Sequence, residues 1–314
     1  IRTGVGVKRI LVDQKNGSKK FQASGVELQN GEIIRAKQVI SNTDPGKTYD
    51  MVGAGYLSKK LQDKLAKTRY SLTSLMFFIT VDMDLRETGL DSGNIWMMPD
   101  RDLDDLYNEL TSVNLLEKED YATLFISCSS IKDPTSFNGK EHTLEVVTFI
   151  GYDLFKFALP NGEGYTEAYT DLKNKLCEKL IKNLSKAIPG IRENIIQMEM
   201  GTPTTNEFYI NGTNGNVYGT EKGFMQTGPF SFAAKTEIDN LYMCGASIMA
   251  HGVAGSGYSG VKTAAMILNC REEDLIKDDD TQKLRVYEAE DNSQWPEWLH
   301  QKIAVKQRRL KLQV

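Results

Sequence analysis

The first forty-five residues alternate between short apolar runs and turn-forming residues, which predicts a series of β-strands. The apolar runs lie at Val5–Val12, Val26–Leu28, Ile33–Ile34 and Val39–Ile40. Lys15–Ser18 and Asn30–Gly31 separate the first three runs and have the composition of hairpin turns. The last run ends at Ser41–Pro45, where Asn, Thr, Asp and Pro favour a turn. We therefore expect a small β-meander followed by one further strand.

Three later stretches have the spacing of amphipathic helices. Leucines recur on one face of Tyr56–Arg69, and a longer apolar stripe runs along Tyr165–Ile188. Pro189 and Gly190 end this second helix. A shorter helix is expected over Leu103–Leu110.

Strand-like runs between these helices predict a second sheet, antiparallel or mixed. The runs are Ser74–Val81, Asn94–Met98, Ala122–Ser127 and Thr143–Ile150. Two of them contain large apolar side chains that adapt well to long apolar ligands. These side chains are Met76, Phe77, Phe78, Trp96, Met97 and Met98. Either they line an apolar substrate cavity or they belong to the core, which is the commoner environment for any one of them.

The stretch Asn240–Leu268 combines a strand, a glycine-rich segment and a helix. Asn240–Cys244 is a short apolar run, and Ser259–Leu268 has the spacing of a packed helix. Glycines remove side chains from the segment between them, so that backbone N–H groups can approach a ligand closely. The start of a helix also presents unpaired N–H donors and a positive dipole end. We expect a glycine-rich loop here that forms part of a cofactor site.

Gly255, Gly257 and Gly260 spell the G-x-G-x-x-G pattern, for which three interpretations are open. The first is the dinucleotide-binding fingerprint, which requires a tight turn from strand to helix and a following strand that ends in an acidic residue. Here about ten residues separate the strand from the glycines, and the acidic run Arg271–Asp280 follows. The second is close helix packing. We favour the third, a different cofactor geometry.

Composition and charge narrow the function further. The 314 residues, 40% of them hydrophobic, suffice for two domains, and the net charge of −4 argues against nucleic acid as the main partner. The four cysteines and three histidines are scattered, so neither a disulfide framework nor a metal site is expected. Apolar stretches are strand-sized, too short for a transmembrane helix. Ile1 already lies in a predicted strand, so we expect the N-terminal part of the gene product, with any targeting segment, to be missing.

Val7–Val12, Ser24–Pro45 and Asn240–Leu268 together resemble a flavoprotein group that contains phytoene desaturases, carotenoid isomerases and retinol saturases. The resemblance covers Val5–Pro45 and about Ala122–Leu268. The Gly-Thr-Pro and aromatic pattern that begins at Gly201 is closer to the isomerase and saturase branch. The resemblance implies an α/β, two-domain FAD-binding flavoprotein fold, present here as a fragment, with a mixed, largely antiparallel substrate-domain sheet.

The resemblance also implies which parts of the chain bind the cofactor and the substrate, and which residues contact FAD. Residues 1–50 and 240–270 would form an incomplete FAD-binding domain, 51–239 a substrate-binding domain, and 271–314 an acidic linker and a basic C-terminal helix. Val7 would contact the adenine through its backbone. The residues implied to bind FAD are Val7, Gly245, Ala246, Gly252, Val253, Ala254, Gly255, Ser256 and Gly257.

Two departures from the family pattern matter. Several members carry an acidic residue at the position of Ala246. The N-terminal G-x-G-x-x-G unit of the family is not among these residues, so we expect the chain alone to be inactive and to bind FAD weakly.

The function implied is that of an FAD-dependent oxidoreductase or isomerase acting on C–C double bonds of a carotenoid, retinoid or other isoprenoid. No catalytic side chain is identified from the sequence. The alternative is a non-catalytic isoprenoid- or lipid-binding protein on the same fold, as the related Rab escort proteins are. Trp295–Val314 is basic and partly amphipathic, so it either lies on an anionic membrane or forms a solvated tail. We expect the protein in the cytoplasm or at a membrane surface.

Overall fold

The order of strands and helices was determined from a computed structural model, which describes residues 1–15, 17–18, 20–110, 114–133, 137–158, 166–276, 285–288 and 291–311. The strands within these residues are β1 (Val7–Gln14), β2 (Phe21–Leu28), β3 (Ile33–Arg35), β4 (Val39–Ser41), β5 (Thr73–Val81), β6 (Ile95–Met97), β7 (Leu124–Cys128), β8 (His142–Ile150), β9 (Ile195–Gly201) and β10 (Leu241–Met243). The helices are α1 (Pro45–Val52), α2 (Lys59–Lys67), α3 (Leu103–Leu110), α4 (Ser129–Lys132), α5 (Glu167–Ala187), α6 (Ile191–Asn194), α7 (Pro203–Ile210), α8 (Gly252–Leu268) and α9 (Glu297–Lys311).

These elements form two units. The first comprises Ile1–Leu72 and Asn206–Asp280, and the second comprises Thr73–Thr205 and Thr281–Val314. We call them the first unit and the second unit. Each has its own core of buried apolar side chains.

The first unit contains two small sheets. β1, β2 and β3 form the predicted antiparallel meander, and β4 pairs with β10 in parallel. The parallel pairing joins strands that are 202 residues apart in sequence, Leu241 to Val39 and Met243 to Ser41. Leu241 and Met243 are fully buried, and because they are two residues apart they lie on the same face of β10.

The second unit is built on a five-stranded antiparallel sheet in the order β6-β7-β8-β5-β9. Leu75, Phe77 and Ile79 alternate along β5 and are buried on the face that carries the core. Helix α5 adds the leucines of its apolar stripe to this core. Thr166 caps α5 by accepting a hydrogen bond from the backbone N–H of Tyr169. The predicted mixed, largely antiparallel sheet is confirmed.

Several predicted boundaries were wrong. The loop expected before Ser259 is helical, because α8 begins at Gly252. The polar stretch Gly201–Gly223 contains helix α7, and neither α1 nor β9 was predicted. Tyr165, the expected first residue of α5, lies outside the described residues, as do the last four residues of the acidic run and the last three of the tail.

The described residues contain no helix that is both long enough and apolar enough to cross a membrane.

Candidate functional site

The carboxyl ends of β4 and β10 lie side by side because these strands are parallel and in register. Ser41 ends β4 and pairs with Met243, the last residue of β10. The backbone N–H of Cys244 then donates to the carbonyl of Ser41 at 3.0 Å, which extends the contact past the strand ends. Ligands of open parallel sheets bind at this edge of the strands. The predicted cofactor residues Gly245 and Ala246 follow β10 directly at this edge.

Gly245 occupies a position that only glycine can fill. Its φ is +100°, and a Cβ atom there would lie 2.3 Å from the Asn42 side-chain oxygen. The Gly245 N–H donates to the Ser259 hydroxyl at 2.7 Å, and Ser259 in turn donates to the Ser256 carbonyl at 2.6 Å. The turn after β10 is thereby held between the turn after β4 and the body of α8.

The first turns of α8 carry most of the predicted cofactor residues, and their glycines differ in role. A Cβ atom on Gly255 would lie 2.7 Å from the carbonyl oxygen of Ala250, so this glycine allows close packing of the chain on itself. A Cβ atom on Gly257 or on Gly260 would meet nothing within 4 Å. Gly252 has a φ of +81° and is exposed together with Val253 and Ala254. Close packing and open access therefore both occur within one G-x-G-x-x-G pattern.

The start of α8 suits an electron-rich group. Its N-cap residue, His251, makes no capping bond, and the first turn contains no acidic side chain. Backbone N–H donors and the positive end of the helix dipole are thus available beside small side chains. The open space at Gly257 and Gly260 has no side chain to fill it. These residues fit the electronegative edge of a planar cofactor.

Val7 lies elsewhere in the first unit, in a cavity of about 890 Å³. The residues lining this cavity come from the N-terminal strands and the segments beside them, β4 and the turn after it, α1, and α7 with the residue that follows it, and they are mostly apolar. They are Gly4, Val5, Gly6, Val7, Ile10, Val26, Gln29, Val39, Ile40, Ser41, Asn42, Thr43, Met51, Phe208, Tyr209, Ile210 and Asn211. None of the predicted residues from Gly245 to Gly257 is among them. Asn42 belongs to both places, since it lines the cavity and also contacts Gly245.

Three further residues beside this edge were not predicted. The Lys222 ammonium donates to the Ala246 carbonyl at 2.7 Å, and burial lowers the pKa of Lys222. The Tyr218 and His251 rings lie 4.6 Å apart, so an aromatic pair flanks the start of α8. The aromatic and lysine residues of Gly201–Gly223 were the available sequence signal for a role at this edge. Because this segment is far from Ala246 and His251 in sequence, the contact itself could not be predicted.

Asp44 connects the turn after β4 to a distant segment. It caps α1 by accepting from the Lys47 N–H at 3.0 Å. It also accepts from the N–H and hydroxyl of Thr213 at 2.7 and 3.1 Å, and from the Asn216 amide at 3.2 Å. The side chain is buried, so these four donors replace its water.

The face of the second unit's sheet opposite its core carries a continuous apolar row. Trp96 pairs with Phe125, Phe125 with Val147, Val147 with Met76, and Met76 with Gly201, so that the row crosses every strand of this sheet. Trp96 is 56% exposed, and Phe78, two residues from Met76 on the same face of β5, is 44% exposed.

The six candidate apolar side chains of this sheet divide between core positions and exposed or half-buried ones. Phe77 is fully buried and Met97 packs against the core. Trp96, Met98 and Phe78 are exposed, and Met76 is half-buried. Phe77 and Met97 therefore belong to the core, and a substrate-lining role for the other four stays a prediction.

Ser130, His142 and Asp84 form a Ser-His-Asp arrangement in the second unit, in which Ser130 and His142 are buried and Asp84 is partly exposed. His142 Nδ1 lies 2.8 Å from the Ser130 hydroxyl, and its Nε2 lies 3.4 Å from the Asp84 carboxylate. Ser130 also accepts from the Thr143 N–H at 3.0 Å and is only 3% exposed. Its hydroxyl cannot reach a substrate, so the arrangement is structural and gives no support to hydrolase chemistry.

We expect His142 to make the protein less stable in mild acid. Burial lowers the pKa of His142 in the folded chain, although the Asp84 charge opposes this shift. The unfolded chain therefore takes up the proton first, and stability falls as the pH drops below the ordinary histidine pKa of about 6.5. Hydrogen bonds from Arg86 lower the pKa of Asp84, whose stabilising effect is lost only below about pH 4.

Urea unfolding at pH values on either side of about 6.5 would measure this effect. His142→Gln should reduce the pH dependence, whereas His251→Gln, which changes an exposed imidazole, should not. Equal pH dependence in wild type and His142→Gln would contradict the assignment.

Several known proteins are similar to this chain in sequence or in structure. No family model matches the chain. It is 29% identical over 281 residues to all-trans-retinol 13,14-reductase of Danio rerio, covering 84% of this chain and 44% of the reductase. It is 29% identical over 275 residues to the chloroplastic prolycopene isomerase of Daucus carota, covering 84% of this chain and 39% of the isomerase. Phytoene desaturase of Neurospora crassa is 25% identical over 252 residues, covering 78% of this chain and 40% of the desaturase. The chain thus spans less than half the length of these relatives.

A solved structure shares the fold. A variant of putrescine oxidase from a redesign of its cofactor binding superposes with a TM-score of 0.52, at 14% identity, over 84% of this chain and 48% of the oxidase. This neighbour and the relatives belong to the FAD-dependent oxidoreductases. The predicted resemblance, fold class and FAD cofactor are therefore confirmed.

Proposed function

We propose that this chain belongs to an FAD-dependent oxidoreductase or isomerase that acts on C–C double bonds of a carotenoid, retinoid or other isoprenoid. The observation that carries the proposal is the edge formed by β4 and β10. There the turn at Gly245 accepts only glycine, and the chain then enters α8. The start of α8 has no side-chain cap, and its first turn contains only glycine, valine and alanine. Bound FAD would supply hydride transfer, which needs alignment more than acid or base groups.

The proposed cofactor residues act mainly through the backbone. Gly245 and Ala246 would shape the turn. Gly252, Val253 and Ala254 would present free N–H groups at the start of α8 that favour negative charge on the bound group, and Gly255, Ser256 and Gly257 would keep side-chain bulk away from it. Lys222 would add positive charge next to Ala246. Val7 is proposed to line the part of the site that holds the adenine. Residues 1–50 and 240–270 would thus serve the cofactor, and the sheet within 51–239 would serve the substrate.

The apolar row on the second unit's sheet supports a long, uncharged substrate. A polyene offers no hydrogen-bonding groups along its length, so a row of aromatic, valine and methionine side chains is a suitable surface. The C-terminal helix α9 is proposed to add a peripheral membrane contact. Its Trp298 and Val305 are each half exposed, whereas Ile303 is buried and Lys306 pairs with Asp133 at 3.5 Å.

Purification of the complete gene product tests the proposal. We expect a yellow protein that releases FAD on denaturation and that converts or isomerises an added retinoid or carotenoid. A colourless protein that carries a bound lipid would instead support a non-catalytic isoprenoid-binding role.

Val147→Asp should weaken substrate binding without loss of flavin. Val147 is the central member of the apolar row, and a carboxylate there would have to be desolvated against the polyene. We expect KM to rise at least about tenfold, equivalent to about 1.4 kcal/mol of binding free energy. The control is Ile196→Asp, an exposed apolar residue of β9 outside the row. Equal effects of both variants on KM would rule out the row as the substrate surface.

A further inference from the structure

We propose that the first unit carries a docking surface for an anionic lipid bilayer. It consists of three exposed apolar side chains, Phe224, Met225 and Phe230, and a lysine stripe, Lys60, Lys64 and Lys67. We call the three apolar residues the Phe224 cluster. The inference goes beyond the proposed function and does not depend on the flavin.

The side chains of the Phe224 cluster are exposed to solvent although they are apolar. Phe224 is 82% exposed, Met225 66% and Phe230 45%, and the two phenylalanine rings lie 6.0 Å apart. Single exposed hydrophobic residues are common, but several on one short segment mark an interaction surface.

The segment that carries the Phe224 cluster is held in place by hydrogen bonds. The Gln226 amide donates to the carbonyls of Arg69 and Glu221, both at 2.9 Å, and accepts from the Arg69 N–H at 2.8 Å. At its other end, the Ser231 N–H donates to the Gly228 carbonyl at 3.1 Å. These bonds oppose a collapse of the apolar side chains onto the protein.

The lysine stripe borders the same segment. Lys60, Lys64 and Lys67 recur at i, i+4 and i+7 of α2, so they share one face of the helix. The Lys64 ammonium donates to the Ser231 carbonyl at 2.7 Å, which places this face against the segment. Among the described residues, no carboxylate lies within ion-pair distance of Lys60 or Lys67, whereas the nearby Asp63 pairs with Lys59.

An apolar cluster beside basic residues matches an anionic membrane better than the other occupants. A neutral polyene would use the Phe224 cluster but leave Lys60 and Lys67 without a role, since of the three lysines only Lys64 is bonded within the part of the chain that the structure describes. An anionic bilayer uses both, since apolar side chains enter the acyl boundary while lysines remain with the headgroups. Stable membrane anchoring takes two signals of this kind, such as an apolar group beside a basic patch.

Vesicle sedimentation of the purified chain tests the proposal, with neutral phosphatidylcholine vesicles compared against vesicles that contain roughly a third phosphatidylserine. We expect binding to the anionic vesicles that weakens in high salt. Phe224→Ser with Met225→Ser should lower it at least about tenfold. Lys60→Gln with Lys67→Gln should lower it roughly twenty-five-fold, at about fivefold for each charge. All these side chains are exposed, so the thermal melt should not change.

Two control variants and one further measurement complete the test. Ile196→Ser removes an exposed apolar residue of the second unit and should leave binding unchanged. Trp298→Ser with Val305→Ser removes the exposed apolar side chains of α9. Loss of binding in the α9 variant, with none in the Phe224 variant, would overturn the proposal. So would a Phe224 variant that binds vesicles normally but loses self-association in analytical ultracentrifugation, because the cluster would then contact a second copy.

Discussion

Gly257→Leu in the complete gene product should abolish flavin retention while leaving the thermal melt of the flavin-free protein almost unchanged. A side chain at Gly257 would enter space in which no atom lies within 4 Å of the Cβ position. It would therefore fill the space that we assign to the cofactor without a clash in the protein itself. Leucine also favours helix over glycine by up to about 1 kcal/mol, so the fold should lose nothing. We expect the flavin content to fall roughly tenfold or more.

Gly255→Leu is the matched comparison, two residues away on the same helix. A side chain at Gly255 would lie 2.7 Å from both the Cβ atom and the carbonyl oxygen of Ala250. Overpacking of this kind costs about 1–3 kcal/mol, which lowers the melting temperature by several degrees. Flavin loss should therefore accompany loss of stability in Gly255→Leu but occur alone in Gly257→Leu. Normal flavin content in Gly257→Leu would disprove the cofactor assignment of this helix.

The glycine pattern suggested a cofactor site, which stays a prediction, and it did not predict the point at which α8 begins. Glycine has low helix propensity, so the sequence favours a loop over Gly252–Gly257. Tertiary contacts override that preference. The Thr263 hydroxyl donates to the Met243 carbonyl at 3.0 Å, and Ser259 binds the Gly245 N–H, so α8 is held to the end of β10. Hydrogen bonds between distant residues have no local sequence signal.

The apolar row on the second unit's sheet could be predicted only in part. The strands were evident from their composition, and period-2 alternation separates Phe77 from Met76 and Phe78. Which of the two faces carries the core depends on where α5 packs, and no local pattern specifies that. The row itself depends on the pairing register of every strand in the sheet, which the sequence of one strand does not contain.

The Ser41–Pro45 turn was recognised from its composition, but its role in the fold was not. Pro45 at the first helical position and Asp44 before it are a helix start signal that could have predicted α1. The other partners of Asp44 are 169 and 172 residues away in sequence. A local pattern can therefore identify the cap but not the long-range contact.

Asp44→Ala should destabilise the first unit more than loss of a helix cap alone. An N-cap contributes about 1 kcal/mol, and each buried donor left without a partner costs a further 1–3 kcal/mol or so. Removal of the carboxylate leaves the Thr213 N–H and the Asn216 amide without this acceptor, so we expect a loss of about 3–5 kcal/mol. Asp102→Ala is the control, because Asp102 accepts from the Asp104 N–H at 2.8 Å at the start of α3, also an eight-residue helix, but is exposed. Urea unfolding should show a loss of no more than about 1 kcal/mol for that variant. Similar losses in both variants would mean that Asp44 acts only as a cap and that the contact with residues 213–216 adds nothing to stability.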